Sequence, residues 1–322
     1  MAIIAGIDEA GLGPILGPLV VSTSIFRVPN HAIDKCFWSM LAGAVVRKGF
    51  ARSPALPVAD SKAMYVRTSG MVHIERGVLG MLAQLGPPPI SLLELLHRLA
   101  PSAADQMQGY QWYAHVDPPL PRQAGADDLS LRARGVTEAM TRSGITLEAM
   151  RVEPVFVGQF NHLISTTRNK AVASFGITAR LLAYVFHTYA GAAEPTRIVI
   201  DRQGGRIRYI RPLQRIFDGA DIKIIEESER QSVYLLRKGN RNAEIRFCTG
   251  AEDDSMPVAL ASMVSKYLRE LFMELLNKWW ARRIADLKPT AGYYTDGKRF
   301  LNDIGDAITA EGIDRSLLVR CR

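Results

Sequence analysis

The chain has 322 residues, a formal net charge of +8 and a sequence pI near 9.5. With 48 % hydrophobic residues, it is long enough to form one large or two ordinary globular domains with a buried core. Its three scattered cysteines argue against a disulfide framework, and the N-terminus lacks the basic start of a signal peptide. We therefore expect a cytoplasmic protein, without a segment long and apolar enough to span a membrane.

The excess of positive charge favours a partner rich in phosphate, because a basic surface attracts nucleic acids and raises their encounter rate. The charge is weak evidence alone, since many basic proteins bind no nucleic acid. It becomes stronger if acidic residues gather at one site and leave the remaining surface more basic. The sequence has no Cys/His pair at zinc-ligand spacing, so we expect structural or surface roles for its six dispersed histidines.

The first 27 residues have the pattern of a hairpin, in which two apolar strands flank a glycine-rich turn over residues 11–18. Asp8 and Glu9 end the first strand. Two adjacent carboxylates at the end of a buried strand repel each other and lose hydration, which is costly unless a cation offsets it. A divalent ion such as Mg²⁺ or Mn²⁺ would do so. The alternative is a polar hairpin tip with solvated acids, and the motif alone does not decide between the two.

The next part of the chain is less regular. We expect residues 31–48 to be largely helical, and Asp60 or Ser61 to cap a helix after the polar break at residues 59–62. Proline runs then mark residues 63–150 as an insertion or small subdomain with a short helix over residues 90–99. The aromatic residues at 112 and 113 predict a small core there more strongly than a base-stacking surface.

The second half of the chain predicts an α/β architecture. A strand over residues 151–158, a helix over residues 169–189 and a strand ending at Asp201 form a strand-helix-strand unit, which favours parallel pairing. The last strand leaves its carboxylate at the C-terminal end, where sites on open α/β sheets usually lie. Three short β-like runs follow between residues 221 and 248.

A long amphipathic helix follows, with the apolar positions Val264 to Trp279 facing the core. Lys266 and Glu270 fall on a different stripe of this helix, one turn apart. They are either an ordinary solvent-facing pair or a cation and a carboxylate presented to a polar site. Residues 289–300 are predicted to form a loop rich in tyrosines and cations.

Five of these segments, in this order, resemble the ribonuclease HII/HIII family. The family's Asp-Glu-x-Gly motif, Asp-Ser-Lys motif, strand ending in Asp, Ala-Ser-Ile-x-Ala-Lys helix and Gly-Tyr-x-Thr loop are matched here by Asp8–Gly11, Asp60–Lys62, Arg197–Asp201, Ala261–Lys266 and Gly292–Thr295. The resemblance covers residues 1–27, 58–62 and about 155–304. It implies a ribonuclease H-like mixed sheet flanked by helices, formed by residues 1–62 and 151–322, with residues 63–150 as an inserted helical or irregular subdomain.

The sequence departs from the family at two positions that affect the chemistry. The family's Gly-Arg-Gly turn is here Gly11-Leu12-Gly13, so a guanidinium is missing, although the backbone amides remain. The fourth carboxylate aligns with Glu270, where the family usually has Asp. Three acids before the helix are possible substitutes: Glu252, Asp253 and Asp254.

The resemblance implies metal-assisted hydrolysis of the RNA strand of an RNA–DNA hybrid, or of a ribonucleotide embedded in DNA. Two Mg²⁺ or Mn²⁺ ions would be held by four carboxylates: Asp8, Glu9, Asp201 and Glu270. Contacts to the nucleic acid would come from Gly11, Gly13, Lys62, Lys266, Tyr293 and Tyr294. For either tyrosine, a place in the core is the alternative. Because of Leu12 and the insertion, a nuclease of altered specificity remains open, as does a non-catalytic nucleic-acid-binding protein on the same fold.

Overall fold

The computed structural model describes residues 1–49, 53–65 and 70–321. The strands in this part of the chain are β1 (Ala2–Ala10), β2 (Leu19–Val28), β3 (Val45–Val46), β4 (Leu56–Pro57), β5 (Thr146–Val155), β6 (Thr196–Asp201), β7 (Asp221–Glu227), β8 (Gln231–Lys238) and β9 (Arg241–Cys248). Seven of them form one sheet in the order β5-β2-β1-β6-β9-β8-β7, and β3 pairs separately with β4.

Helices lie on both faces of the seven-stranded sheet. In chain order they are α1 (Phe37–Met40), α2 (Ser61–Met64), α3 (Val72–Leu82), α4 (Leu92–Leu99), α5 (Pro101–Gln106), α6 (Ala126–Ser143), α7 (Val157–Thr167), α8 (Lys170–Tyr189), α9 (Ile210–Ile216), α10 (Ala251–Asp254), α11 (Met256–Ala281), α12 (Tyr294–Asp303), α13 (Gly305–Ala310) and α14 (Arg315–Leu318). Short 3₁₀ turns occur at Asn30–Ala32, Ala83–Leu85 and Met107–Gly109.

The pairing pattern makes the sheet mixed. Strand β1 is antiparallel to β2 and parallel to β6, and β6 is in turn parallel to β9. The remaining pairs, β2 with β5, β9 with β8 and β8 with β7, are antiparallel. The predicted α/β class with a mixed sheet and flanking helices is therefore confirmed. The three β-like runs predicted between residues 221 and 248 correspond to β7, β8 and β9.

The sheet separates two apolar cores, because successive side chains of a strand point to opposite faces. On β1, Ile3 and Ile7 enter the core beneath α8, whereas Ala2 and Ile4 enter the core beneath α11. Because of this alternation, both faces of β1 are buried. The acidic residues that follow Ile7 lie where this buried strand reaches the edge of the sheet.

The start of α11 lies unusually close to β1 and β2. A Cβ atom added to Gly6 would lie 2.2 Å from the backbone of Pro257, so only a glycine fits at this point of the strand. The Ser24 hydroxyl donates to the Pro257 carbonyl at 2.7 Å. About two turns further along α11, the Ser265 hydroxyl lies 2.7 Å from the Ser22 hydroxyl. These contacts fix the helix against β1, which carries the first two acids, and against the neighbouring β2.

Residues 63–150 share the core of α11. Helices α3, α4 and α6 contribute buried side chains to that core, and Tyr113 packs against Phe272 of α11 with ring centroids 5.0 Å apart. Trp112 is also buried, so the predicted core role of this aromatic pair is confirmed and a base-stacking surface is excluded for it. The predicted boundary at residue 150 falls within β5, because residues 146–150 already belong to the sheet. A separable subdomain stays a prediction.

Several predicted boundaries are wrong. Residues 31–48 contain only the end of a 3₁₀ turn, α1 and β3 instead of a long helix, because the chain turns at Gly43, whose φ is +83°. The strand predicted over 151–158 runs from Thr146 to Val155, and α7 starts at Val157. The predicted loop over residues 289–300 ends at Tyr293, because α12 begins at Tyr294.

Helix α8 is long and apolar enough to cross a membrane by length and composition alone, contrary to the sequence expectation. Here it lies on the sheet, where Leu181, Leu182, Val185 and Phe186 are fully buried. Its Asn169 cap accepts a hydrogen bond from the Val172 amide at 3.1 Å. Its apolar side chains therefore have partners within the protein.

Glu75 provides a test of how firmly residues 63–150 are joined to α11. Its carboxylate is 1 % exposed and accepts hydrogen bonds from the amides of residues 122–124 and from the Tyr267 hydroxyl. Because Glu75→Ala leaves these donors buried and unpaired, we expect it to lower the free energy of unfolding by about 3 kcal/mol or more. Urea denaturation measures this change.

The matched control is Glu138→Ala, which removes an exposed glutamate from α6. We expect this variant to stay within about 0.5 kcal/mol of the wild-type protein. Equal stabilities of the two variants would show that the buried carboxylate does not join the segment to α11.

Candidate active site

Three acids converge because β1 and β6 are parallel neighbours. Ile7 pairs with Ile200, so Asp8, Glu9 and Asp201 all leave the sheet at the same edge. Asp8 is 6 % exposed, and its Oδ1 accepts a hydrogen bond from the Glu9 amide at 2.7 Å. The structure thus brings together the three carboxylates that the sequence predicts at strand ends.

Gln203 ties this cluster to α8. Its side-chain amide donates to Glu9 Oε2 at 3.1 Å and to Thr178 Oγ1 at 2.9 Å, while its carbonyl oxygen accepts from the Ser174 hydroxyl at 3.1 Å. Because all of these side chains are at least partly shielded from water, the amide fixes the direction of the Glu9 carboxylate. The sequence analysis missed Gln203, although its place two residues after Asp201 is a signal that could have found it.

The electrostatics of the cluster favour bound protons or cations. Burial raises the pKa of Asp8 well above its usual value, and the neighbouring charges of Glu9 and Asp201 raise it further. Burial also raises the pKa of Glu9 to about 7, assisted by Asp201 and Glu252 and opposed by the Gln203 amide. Without a bound cation, Asp8 and Glu9 therefore retain protons more readily than ordinary carboxyl groups.

Glu252 of α10 is the fourth acid of the cluster. It is 9 % exposed, and burial together with the charge of Asp201 raises its pKa. Its Oε2 atom is buried without a hydrogen-bond partner in the described part of the chain. Helix α10 is also joined to Asp201 directly, since the Ala251 amide donates to Asp201 Oδ1 at 3.0 Å.

Glu270, which the family resemblance favours as the fourth carboxylate, has a different environment. Its Oε1 lies 2.6 Å from Lys266 Nζ and 3.2 Å from a guanidinium nitrogen of Arg269, so two cations already neutralise it. Of the predicted substitutes, Asp253 and Asp254 are exposed. We therefore favour Glu252 over Glu270, because its ion pair with Lys62, at 3.7 Å, is looser than the two contacts of Glu270, and because its Oε2 has no hydrogen-bond partner among the described residues.

Lys62 lies beside the acids, as predicted. Its Nζ is 3.7 Å from Glu252 Oε1, and its side chain is 83 % exposed. Burial of the ammonium opposes protonation, but Glu252, Asp60 and the acids of the cluster outweigh it and raise the pKa of Lys62. Asp60 caps α2 by accepting from the Lys62 amide at 3.0 Å, which resolves the choice between Asp60 and Ser61 as the cap.

Two buried arginines contact the glycine-rich turn from the protein interior. Gly11 has a φ of +91°, and an added Cβ would lie 2.6 Å from Arg269 Nε. Arg320 donates to the Gly11 carbonyl at 2.5 Å and to the Gly17 carbonyl at 2.6 Å. Burial and the charge of Arg269 lower the pKa of Arg320 to about 9. Sequence reasoning missed Arg320, because nothing near the C-terminus marks it as a partner of the turn.

The late tyrosine loop contacts the same turn. The Gly292 carbonyl accepts from the Ile15 amide at 2.8 Å. Tyr293 is 53 % exposed and its ring lies 5.7 Å from the Arg269 guanidinium, while Tyr294 is 38 % exposed beside Lys298. The alternative of core positions is therefore wrong for both tyrosines. Contacts of these tyrosines, and of Lys266, with nucleic acid stay predictions.

The donor set fits a hard divalent cation, since carboxylate oxygens suit Mg²⁺ and Mn²⁺. The unpaired Glu252 oxygen and the raised pKa of Asp8 are the observations that support this fit. In the described ranges, no three acidic, histidine or cysteine side chains are close enough together to enclose one ion as they stand. Ligation of one ion by three of these acids would therefore require their side chains to move.

Comparison with known proteins places the chain near solved ribonuclease structures. The match to the ribonuclease H2 of Pyrococcus horikoshii OT3 has 12 % identity and a TM-score of 0.44, and covers 98 % of this chain and 92 % of that chain. The match to Bst-RNase HIII in complex with Mn²⁺ has 17 % identity and a TM-score of 0.44, and it covers 99 % of this chain and 66 % of that chain. The match to RNase HII of Archaeoglobus fulgidus, in a complex with PCNA, has 14 % identity and a TM-score of 0.42, and it covers 99 % of this chain and 94 % of that chain.

No family model matches the chain, and no curated protein gives a significant match. The mixed sheet flanked by helices, in which β1, β2 and β5 are antiparallel and β1, β6 and β9 are parallel, has the architecture that the sequence resemblance implies. With such low identities and TM-scores, the similarity provides no evidence about the activity, metal or substrate of this chain.

Paired substitutions in the glycine-rich turn test its geometry. Gly11→Ala forces a side chain into the left-handed region and against Arg269, so we expect it to lower the free energy of unfolding by about 1–3 kcal/mol. Gly13→Ala is the matched control, because an added Cβ there meets no atom within 4 Å. Thermal unfolding of both variants measures the difference. If Gly13→Ala is equally destabilising, the packing described for Gly11 is incorrect.

The raised pKa of Glu9 predicts a pH dependence of stability in the presence of chelator. Its value of about 7 in the folded protein exceeds the ordinary 4.5, so the folded state binds more protons than the unfolded state between these values. The unfolding free energy should therefore fall by roughly 1–3 kcal/mol as the pH rises through this window. Urea titrations in EDTA measure it.

The control is Glu9→Gln, which cannot titrate and should show a shallower fall over the same window. A stability that rises with pH in the wild-type protein, or an equal slope in both proteins, would contradict the charge balance described for the site.

Proposed function

We propose that this protein is a divalent-metal-dependent endoribonuclease that hydrolyses the RNA strand of RNA–DNA hybrids or ribonucleotides embedded in DNA. The observation that carries the proposal is the gathering of Asp8, Glu9, Asp201 and Glu252 from three separate elements, with more negative charge than nearby side chains balance. Such a cluster is unfavourable for folding alone, which indicates that it is kept for a cation.

The four acids would hold Mg²⁺ or Mn²⁺, with Glu252 in the place that the resemblance gives to Glu270. When bound, such ions lower the pKa of an attacking water and stabilise the leaving oxygen of a phosphodiester. The protein's own side chains and backbone would orient the carboxylates. Gln203 holds the Glu9 carboxylate, the Ala251 amide holds Asp201, and the Ser265 hydroxyl lies 3.1 Å from the Asp8 carbonyl.

Substrate contacts follow from what surrounds the acids. Lys62 carries an exposed ammonium within reach of a phosphate next to the cut, where it would offset repulsion between the strand and the carboxylates. The backbone of Gly11 and Gly13 would contact a ribose 2′-hydroxyl, the group that distinguishes RNA from DNA. The exposed rings of Tyr293 and Tyr294 offer faces for a sugar or base.

Leu12 supplies the reason to test more than one substrate. Its side chain packs against the core beneath α8 instead of offering a guanidinium to the strand. A nuclease with altered specificity and a non-catalytic binder are therefore the competing outcomes. The substrates are a hybrid duplex, a DNA duplex with one ribonucleotide, and plain DNA, each with Mg²⁺ or Mn²⁺.

We expect cleavage of at least one ribonucleotide-containing substrate. Asp8→Asn and Asp201→Asn should each lower the rate by about 100-fold or more, because each removes a charged metal ligand. Glu252→Gln should have a similar effect, whereas the control Glu270→Gln should retain activity within about fivefold of wild type. Rates of product formation on denaturing gels measure these effects.

Mn²⁺-induced thermal stabilisation gives a readout that is independent of turnover. The wild-type protein and Glu270→Gln should gain stability with added Mn²⁺, and Asp201→Asn should gain less. If no substrate is cleaved, or if the Asp variants are as active as wild type, the enzyme hypothesis is refuted. Hybrid binding that falls with salt and is unaffected by chelator would identify the non-catalytic binder instead.

A further inference from the structure

A cavity of about 490 Å³ opens beside the acidic cluster, and we call it the side cavity. Asp201 and Gln203 belong to both the cluster and the cavity wall. The cavity is also lined by Phe175, Arg206, Tyr209 and Phe247. Small residues complete this part of the lining: Gly13, Ala171, Gly204 and Gly205. Its volume lies in the range of roughly 300–1,000 Å³ that is typical of pockets for small organic groups.

The wall of the side cavity is aromatic. The rings of Tyr209 and Phe247 are stacked with centroids 3.6 Å apart, and Phe175 lies 5.7 Å from Tyr209. The Arg206 guanidinium is 5.2 Å from the Phe175 ring and 5.7 Å from the Tyr209 ring. The three rings are at most 8 % exposed, so the partly buried Arg206 guanidinium that lies over them is the planar surface on which a nucleobase would stack.

The rim of the cavity is open to a backbone-sized group. Added Cβ atoms at Gly13, Gly204 and Gly205 would meet no atom within 4 Å. Glycines on both sides of the opening leave room for a sugar-phosphate chain to pass close to the protein backbone. A chain that runs across the acids would thus pass the mouth of the side cavity.

We propose that the side cavity receives one unstacked nucleobase of the bound strand, next to the phosphate at the acidic cluster. This inference rests on the proposed function, because it takes that strand to be the substrate of the nuclease. It adds a substrate class: nucleic acid in which a nucleotide beside the cut is unpaired, as in a bulge or mismatch. Fully paired duplexes bind less tightly, because extraction of a paired base costs the most free energy.

Binding of two labelled hybrid duplexes tests the inference. One is fully paired, and the other carries a single unpaired adenosine in the RNA strand. Both are measured by fluorescence anisotropy with Ca²⁺ in place of Mg²⁺, so that the readout is independent of cleavage. In wild-type protein we expect the bulged duplex to bind about tenfold more tightly, which is within the range for one stacked base.

Two neighbouring residues of α8 supply the matched variants. Ala171 is exposed and lines the cavity, whereas Val172 is exposed but outside the lining. Ala171→Trp should block the opening and reduce the tenfold preference to about one, while Val172→Trp should keep it. A second pair alters charge: Arg206→Gln should weaken the preference, and Arg208→Gln, which removes an 86 % exposed guanidinium outside the lining, should not.

Equal affinity of wild-type protein for the two duplexes would overturn the proposal, as would an unchanged preference in Ala171→Trp. Adenosine 5′-monophosphate is tested alone as well. Binding of this mononucleotide without a preference between the duplexes would assign the cavity to a free nucleotide and contradict the strand assignment. Because none of these outcomes requires cleavage, a failure of the proposed nuclease activity is recognised separately.

Discussion

Repulsion among carboxylates at the ends of β1 and β6 is the constraint on which the rest of this structure depends. Parallel pairing of the two strands places Asp8 beside Asp201, and burial raises the pKa of Asp8. The elements packed around them add a further acid, Glu252, and the largely exposed cation of Lys62. A fold that gathers charge in this way loses stability at its centre, and bound cations would restore it.

The surrounding structure keeps this centre rigid through residues distant in sequence. Gly6 allows the start of α11 to approach β1, and Gln203 joins Glu9 to α8. Arg269 and Arg320 fix the glycine-rich turn from within the core, where neither guanidinium is more than 4 % exposed. Their charges are buried under the site, so they shape the turn without being available to a ligand.

Much of the fold and part of the site follow from the sequence, for physical reasons. Apolar strands that end in acids predict both the sheet and the meeting of Asp8 with Asp201, because parallel strands end at a common edge. Helical spacing alone did not identify the fourth acid. It places Glu270 on a polar stripe, but it does not show that Lys266 and Arg269 neutralise it. Arg320 and the packing of residues 63–150 depend on tertiary contacts, for which the sequence has no local signal.

Diffraction from crystals of the wild-type protein soaked in Mn²⁺ tests the central claim most directly. An anomalous peak is expected within about 2.0–2.6 Å of carboxylate oxygens of Asp8, Asp201 and Glu252, the range of metal–oxygen bonds to hard divalent ions. Crystals with full exchange of Mn²⁺ but no peak among these oxygens would contradict the account. A peak at Glu270 alone would contradict it equally, because that acid would then be the metal ligand in place of the cluster.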